Sequence, residues 1–457
     1  MGEKKREMSG PRVAVASHGC KLNQAEADYI GRRFIEAGCT LVDPEGQADI
    51  YVLNTCTVTH VADAKARQWL RAAHRRNPMA AVVATGCYAT GDREAMSGVE
   101  GVTLIVDNQR KDEIIEAIQG LGLLDRHNAV SLMDRDFIDF SWDRPTRTRA
   151  FIKVQEGCNQ FCAFCIVPFT RGREANVPIP KVVQQVEARV QEGYKEVLLT
   201  GPQIGSYGLY PPTPESRRDT VGFQGRLHGL IETILSETKI TRLRISSIQP
   251  QDLTPMLLSA WQDPRLCRHV HMALQSGSDS VLRRMRRRYS TRDYLNAVER
   301  LRNTVPDIAI TTDVMVGFPG ESEEEFEEGY RLCEQIGFAA MHVFPFSPRP
   351  DTQARGMAGR VPDQMKKERA HRMLALAGES GSRFRRSFVG RAMEVLWEEE
   401  SRVDGALLWS GLTDNYLRVY TRDPGIRPNQ IMLTDLVGEL NNGLAGRVLV
   451  GAGRGSR

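Results

Sequence analysis

No stretch of this chain approaches the ~18 consecutive apolar residues that cross a bilayer. Its first residues, MGEKKREMSGPRVAVAS, have no apolar segment of the kind a secretory signal carries. No membrane partner is therefore expected, and the reading is a cytoplasmic, reducing location. An excess of one charge is also missing: 61 Lys and Arg stand against 57 Asp and Glu, so any RNA contact must come from local patches. No Walker-type phosphate loop or Ser-His-Asp pattern is found, which disfavours NTPase and hydrolase chemistry. Internal repeats and low-complexity tracts are lacking as well. Cysteines are few and odd in number, nine in 457 residues. In a reducing compartment such a set reads as metal or redox chemistry rather than a disulfide framework.

Six of the nine form two groups of three. Cys158, Cys162 and Cys165 are packed as C-x3-C-x2-C; Cys20, Cys56 and Cys87 are spread over the first ninety residues. Zinc would prefer paired C-x2-C units adding to four ligands, and no second pair lies near the tight group. Three thiolates leave one iron of an iron–sulfur cluster open to an external ligand. Two such groups imply an enzyme that binds something at each.

Residues 12–120 alternate short β-branched runs (RVAVAS, DIYVLN, AVVATG, TLIV) with helical stretches near 22–37, 60–76, 89–97 and 110–119. This is the pattern of βαβ units on a parallel sheet, whose ligands sit outside the strand C-termini. Cys20, Cys56 and Cys87 each follow a strand and are expected to converge there. Cys39 follows a helix through Gly38, at the opposite edge, and is expected to be no ligand. A polar stretch at 125–148 leads to six more strand candidates between 150 and 346, separated by helices, which read as a partial (β/α) barrel. Residues 209–226 read as a Pro- and charge-rich insertion, and a basic helix near 362–378 closes the region. From 383 to 450 short β runs separated by turns imply a small all-β barrel. The expected class is α/β with three domains, at 10–122, 144–380 and 383–450.

The loop EGCNQFCAFCIVP, with Phe164 before the third cysteine, resembles the radical S-adenosylmethionine superfamily. Together with HGCKLNQAEAD, NTCTVTHVADAKARQ, VVATGCYAT and RAFIKVQEGCNQFCAFCIVPFTRGRE it resembles the methylthiotransferase family, and residues 383–450 look like the TRAM domain that ends those proteins. The resemblance implies two 4Fe-4S clusters. The one at Cys158, Cys162 and Cys165 would reduce S-adenosylmethionine to release a 5′-deoxyadenosyl radical that takes a substrate hydrogen. The one at Cys20, Cys56 and Cys87 would carry sulfur, and a second S-adenosylmethionine would supply methyl. Implied partners are tRNA, an electron donor such as flavodoxin or ferredoxin, and a sulfur source. The flanks HGCKLNQ, NTCTVT and TGCYA resemble the subgroup that adds methylthio to C2 of N6-threonylcarbamoyladenosine beside the anticodon. Isopentenyladenosine enzymes would show a YGCQMN-like first motif, and those acting on a ribosomal-protein aspartate a GCPKN-like one.

Segments after the barrel strands (TGPQIGSYG, RISSIQP, ALQSG, VGFPGE) are expected to complete the radical site, with Gly201, Ser246 and Gln275 as candidates for the polar ends of the cofactor. Pro202, Gln203, Gln249 and the run Asn176-Val177-Pro178 depart from the family pattern. Two basic runs could meet phosphate: Arg283, Arg284, Arg286, Arg287 and Arg288, and the helical stripe Arg67, Arg71, Arg75. Solvated helix faces are the alternative for both. Ser322 with Glu325 reads as a capping box. His18 and His60 lack a partner at metal spacing and are read as structural. The rival to an enzyme is a cluster-bearing sulfur carrier, which has no need of the tight triplet on a barrel face.

Overall fold

The computed structural model describes residues 10–122, 124, 148–208 and 227–449. The 125–148 linker, but for Thr148, and the 209–226 insertion lie outside the described residues. The chain divides into two compact units: Met1–Arg144 with Glu156–Arg173 and Ser347–Arg355, and Pro145–Gln155 with Glu174–Phe346 and Gly356–Arg457. Residues 156–173 and 347–355, expected within the 144–380 domain, group with the first unit. The segment with the tight triplet groups with the N-terminal residues, because side chains of both bond to one another.

In the first unit, strands β1 (Arg12–Ser17), β2 (Thr40–Val42), β3 (Ile50–Thr55), β4 (Ala81–Gly86) and β5 (Val102–Val106) form a parallel sheet in the order β2-β1-β3-β4-β5. Strands β3 and β4 are buried along their whole length, as a sheet covered on both faces requires. Tyr51, Leu53, Val82 and Ala84 pack with Trp69 and Leu70 of α2 (His60–Arg76). Ile50, Val52 and Val83 pack with Ile30 and Phe34 of α1 (Lys21–Glu36) and with Ile114 and Ile118. The helix expected at 89–97 is two short ones, α3 (Cys87–Gly91) and α4 (Arg93–Ser97), so Cys87 begins a helix directly after β4. The helix near 110–119 begins as a 3-10 turn, Asn108–Glu113, before an α-helix at Ile114–Gly120. Edge strand β2 was too short to stand out in the sequence.

In the second unit six parallel strands, Arg149–Lys153, Glu196–Thr200, Arg242–Ile245, His269–Met272, Ala309–Val316 and Ala340–Pro345, fall in the expected places. The third breaks at Ser246 and resumes at Ser247–Ile248, so its first half pairs backwards and its second half forwards. Val197, Leu199, Leu243, Ile245, Val270 and Ile310 join the large core cluster. Strand alternation therefore turns Glu196, Arg242, Arg244, His271 and Asp313 to the other face. Helix Asp363–Arg386 runs past its expected end and leads into a closed five-stranded barrel around Trp397, Val395, Val419 and Leu444. No helix among the described residues is long and apolar enough to cross a membrane.

Within this unit the small barrel is held by buried arginines. Arg244 is fully buried, 2.7 Å from Glu196, and donates to the carbonyls of Thr413 (3.3 Å) and Asp414 (3.0 Å). Arg242 donates to the carbonyls of Leu412 (3.0 Å) and Glu394 (2.8 Å). Removing one partner of a buried pair leaves an uncompensated charge, at a cost of about 3–5 kcal/mol. Glu196→Gln is expected to lower the urea midpoint of unfolding accordingly, and Glu196→Leu combined with Arg244→Met to recover most of the loss. Equal midpoints for Glu196→Gln and the unsubstituted chain would show that the pair adds nothing.

Candidate active site: two cysteine triplets

Cys20, Cys56 and Cys87 follow β1, β3 and β4, three adjacent strands whose C-termini share one edge. Cys20 is the N-cap residue of α1 and Cys87 the first residue of α3. Gly19 makes the close approach possible: its φ is +106°, and a Cβ there would lie 2.4 Å from Cys56 Cβ and 2.7 Å from its Sγ. Burial raises the Cys20 thiol, and Arg171 opposes that rise. Burial pushes Cys56 up to about 12, with Cys20 and Cys87 adding to it. The three sulfurs thus lie within electrostatic reach of one another. Cys39 sits apart, buried among Val13, Ile30 and Phe34, with its thiol raised to about 11 by burial.

The sequence reading missed the polar frame around these sulfurs. Arg171, buried with Glu26, donates Nε–H to Cys87 Sγ (3.1 Å), while its other nitrogens reach Glu26 (2.8 and 3.1 Å), Glu156 (2.7 Å) and Asn23 (2.7 Å). Burial works against its charge, but Cys87, Glu26 and Glu156 hold the guanidinium well above its ordinary value. Asn23 also donates to the carbonyls of His18 (3.0 Å) and Thr55 (2.8 Å), tying the Cys20 loop to the end of β3. Beside Cys56, Arg349 donates to Thr57 (2.6 Å) and Asp63 (2.7 Å) and meets His60 Nδ1 at 3.2 Å. His60 thus takes part in that clamp, and His18 packs edge-on to Trp69. Two polar residues buried on the inner face of α1, Asn23 and Glu26, were the available sequence signal. Arg349, in an irregular segment, offered none.

Cys158, Cys162 and Cys165 are all partly exposed on the tight loop. Gly157, at φ +63°, would place a Cβ 2.1 Å from the Arg173 carbonyl, so the loop can turn there only without a side chain. Cys158 N–H donates to Gly172 O (3.2 Å) and Cys165 N–H to Cys162 O (3.0 Å). Ala354 N–H donates to Ala163 O (2.8 Å), so the segment carrying Arg349 also braces this loop. Phe161 holds a positive φ of 47°, stacked under Arg173 and edge-on to Phe169. Phe164 is half-buried.

In the second unit Ser246 Oγ and Gln275 Oε1 are buried with no hydrogen-bond partner among the described residues. Gln275 has a positive φ of 67°, and Asp313 and Met315 hold its backbone through hydrogen bonds of 2.8 Å each. Strain of this kind marks functional positions. At Gly201 a Cβ would lie 2.8 Å from Gln155 Cβ, so its small size serves packing within the chain. The departures from the family pattern share one buried network. Gln155 bonds Asn176 (3.2 Å) and accepts from Gln203 N (2.9 Å), and Asp252 accepts from Gln203 (2.7 Å) and from Gln249 N (2.7 Å). Burial pushes Asp252 up to about 6. His271 Nε2 lies 3.2 Å from Asp313, the one charged residue of strand Ala309–Val316, which could have been noticed.

Of the basic run, Arg283, Arg286 and Arg288 are exposed. Arg284 pairs with Glu325 at 2.6 Å, whose carboxyl it holds down to about 2 and which also completes the Ser322 capping box. Arg287 lies over the Tyr289 ring and donates to its hydroxyl (3.1 Å). On α2, Arg71 and Arg75 are exposed while Arg67 donates to Tyr88.

Among the described residues no three His, Cys, Asp or Glu side chains are gathered for a single ion. Three thiolates apiece suit a cluster, in which each sulfur meets a different iron. The Arg171 N–H donated to Cys87 Sγ sets a buried positive charge beside the first triplet, which fits an anionic group there. Reconstituted without oxygen, the chain is expected to bind about eight irons, four per cluster. Gly19→Ala should halve that by displacing Cys56, and Cys39→Ala should leave it intact. Full iron in Gly19→Ala, or loss in Cys39→Ala, would mean a different ligand set.

Residues 152–333 match the Radical SAM superfamily, and residues 12–107 match the family described as Uncharacterized protein family UPF0004. The chain is 36% identical over 419 residues to the threonylcarbamoyladenosine tRNA methylthiotransferase MtaB of Bacillus subtilis, covering 89% of each. It is 32% identical over 427 residues to the tRNA-2-methylthio-N(6)-dimethylallyladenosine synthase of Akkermansia muciniphila, covering 88% of this chain and 91% of that one. Among solved structures, the radical S-adenosylmethionine methyltransferase TsrM of Kitasatospora setae shares the fold with a TM-score of 0.54 at 13% identity, over 76% of this chain and 75% of that one. With two cysteine triplets in place and relatives matched over most of its length, the chain belongs to the methylthiotransferase family of radical S-adenosylmethionine enzymes.

Proposed function

We propose that the chain adds a methylthio group to C2 of N6-threonylcarbamoyladenosine beside the anticodon of tRNA. The observation that carries this is the pair of cysteine triplets within one compact unit, read with relatives whose names specify that activity at 33–36% identity. Cys158, Cys162 and Cys165 would hold one 4Fe-4S cluster and Cys20, Cys56 and Cys87 the other. Ser246 Oγ and Gln275 Oε1 would meet polar groups of S-adenosylmethionine, and Phe164 would line its binding loop. Once bound, these groups supply the one-electron cleavage that activates a C–H bond, the sulfur and the methyl. The chain's own residues keep each sulfur ligand oriented: Gly19 admits Cys56, Asn23 ties the Cys20 loop down, and the Ala354–Ala163 bond braces the tight loop. The five-stranded barrel and exposed Arg283, Arg286 and Arg288 would grip the tRNA backbone. An external electron donor such as flavodoxin or ferredoxin and a sulfur source, in the cytoplasm, complete the proposal.

A second reading, with dimethylallyladenosine as target, is favoured by relatives of that name at 30–33% identity. Anticodon stem-loops separate the two. The purified enzyme is expected to modify loops bearing threonylcarbamoyladenosine and to ignore those bearing the dimethylallyl group; the reverse preference would move the target and leave the family reading intact. Neutralising Arg283, Arg286 and Arg288 to Gln should weaken tRNA binding and lower its salt slope by about 0.9 per lost phosphate contact. An unchanged slope would return the run to a solvated surface.

A further inference from the structure

Arg171 serves the triplet remote from it in sequence. It follows the tight triplet by six residues in sequence, yet its side chain is buried in the frame of the other triplet. Its Nη groups are fully engaged by Glu26, Glu156 and Asn23. Lys111 takes a further place on Glu26. Glu26 is thus shared by Arg171 and Lys111, and the one donor left on the Arg171 fork, Nε–H, points at Cys87 Sγ from 3.1 Å. Asn108 Nδ2 approaches the same sulfur at 3.7 Å and donates to the Thr170 carbonyl at 2.8 Å, fixing the short helix Val167–Arg171 against Cys87.

We propose that Arg171 is the positioning residue that sets the reduction potential of the cluster held by Cys20, Cys56 and Cys87. The proposal rests on the two-cluster reading above. An N–H bond and a positive charge at a ligand sulfur favour the more negative, reduced form of a cluster and so raise its potential. Glu26 opposes this by neutralising the guanidinium. The two residues should therefore act with opposite signs, which a merely structural pair would not do.

The test uses the full chain with Cys158, Cys162 and Cys165 changed to Ala, so that only the N-terminal cluster remains, and follows its reduction by electron paramagnetic resonance at controlled potentials. Arg171→Gln is expected to keep its iron and to lower the reduced-to-oxidised ratio at the parent's midpoint at least tenfold, a shift of about 59 mV for one electron. Glu26→Gln is expected to shift the midpoint in the positive direction. Either variant alone decides the sign if the other fails to fold. Midpoints unmoved at full iron, or both moved the same way, overturn the role of Arg171. A parent chain that binds no iron overturns the second cluster itself, and with it this proposal.

Discussion

A parallel sheet has a single edge at which all its strands end, and the N-terminal site depends on that constraint. Cys20, Cys56 and Cys87 are far apart in sequence and reach one place only because β1, β3 and β4 are neighbours running the same way. Everything around the sulfurs then serves close approach: a glycine at φ +106° against Cys56, and an asparagine bonded to the ends of two strands. The hydrophobic packing on both faces of the sheet is what makes this edge rigid.

Gathering three thiolates, two of them on buried cysteines, creates a charge problem, and the frame of the site answers it with polar groups. Asn23 and Glu26 occupy the inner face of α1, where apolar residues would pack more cheaply. Glu26 holds both Arg171 and Lys111, and Arg171 reaches the sulfur of Cys87. Arg349 anchors Thr57, the residue after Cys56, and Asp63. Both arginines come from segments that group with the N-terminal residues although they lie far along the chain. One compact unit therefore contains both triplets.

The sequence made the architecture readable wherever apolar periodicity was long: the four main strands of the first sheet, the six barrel strands and the small closed barrel. It misjudged short or broken elements. Strand β2 has three residues, and the 89–97 helix splits at Asp92, which leaves the helix geometry to cap the next one through Ala95 N–H. The cysteines were legible because thiol spacing is chemistry written directly in sequence. Arg171, Asn108 and Arg349 were not, since their roles depend on contacts between remote segments. Gly201 and Arg284 likewise have partners within the protein, Gln155 and Glu325, that the sequence did not show.

The central claim is that this two-triplet unit installs a methylthio group on a hypermodified adenosine of tRNA. Nucleoside mass spectrometry of tRNA from a strain lacking the gene tests it most directly. The account predicts loss of 2-methylthio-threonylcarbamoyladenosine with accumulation of threonylcarbamoyladenosine, reversed by the intact gene and not by one with Cys20, Cys56 and Cys87 changed to Ala. Normal levels of the methylthio nucleoside in that strain, with no second gene supplying it, would contradict the account.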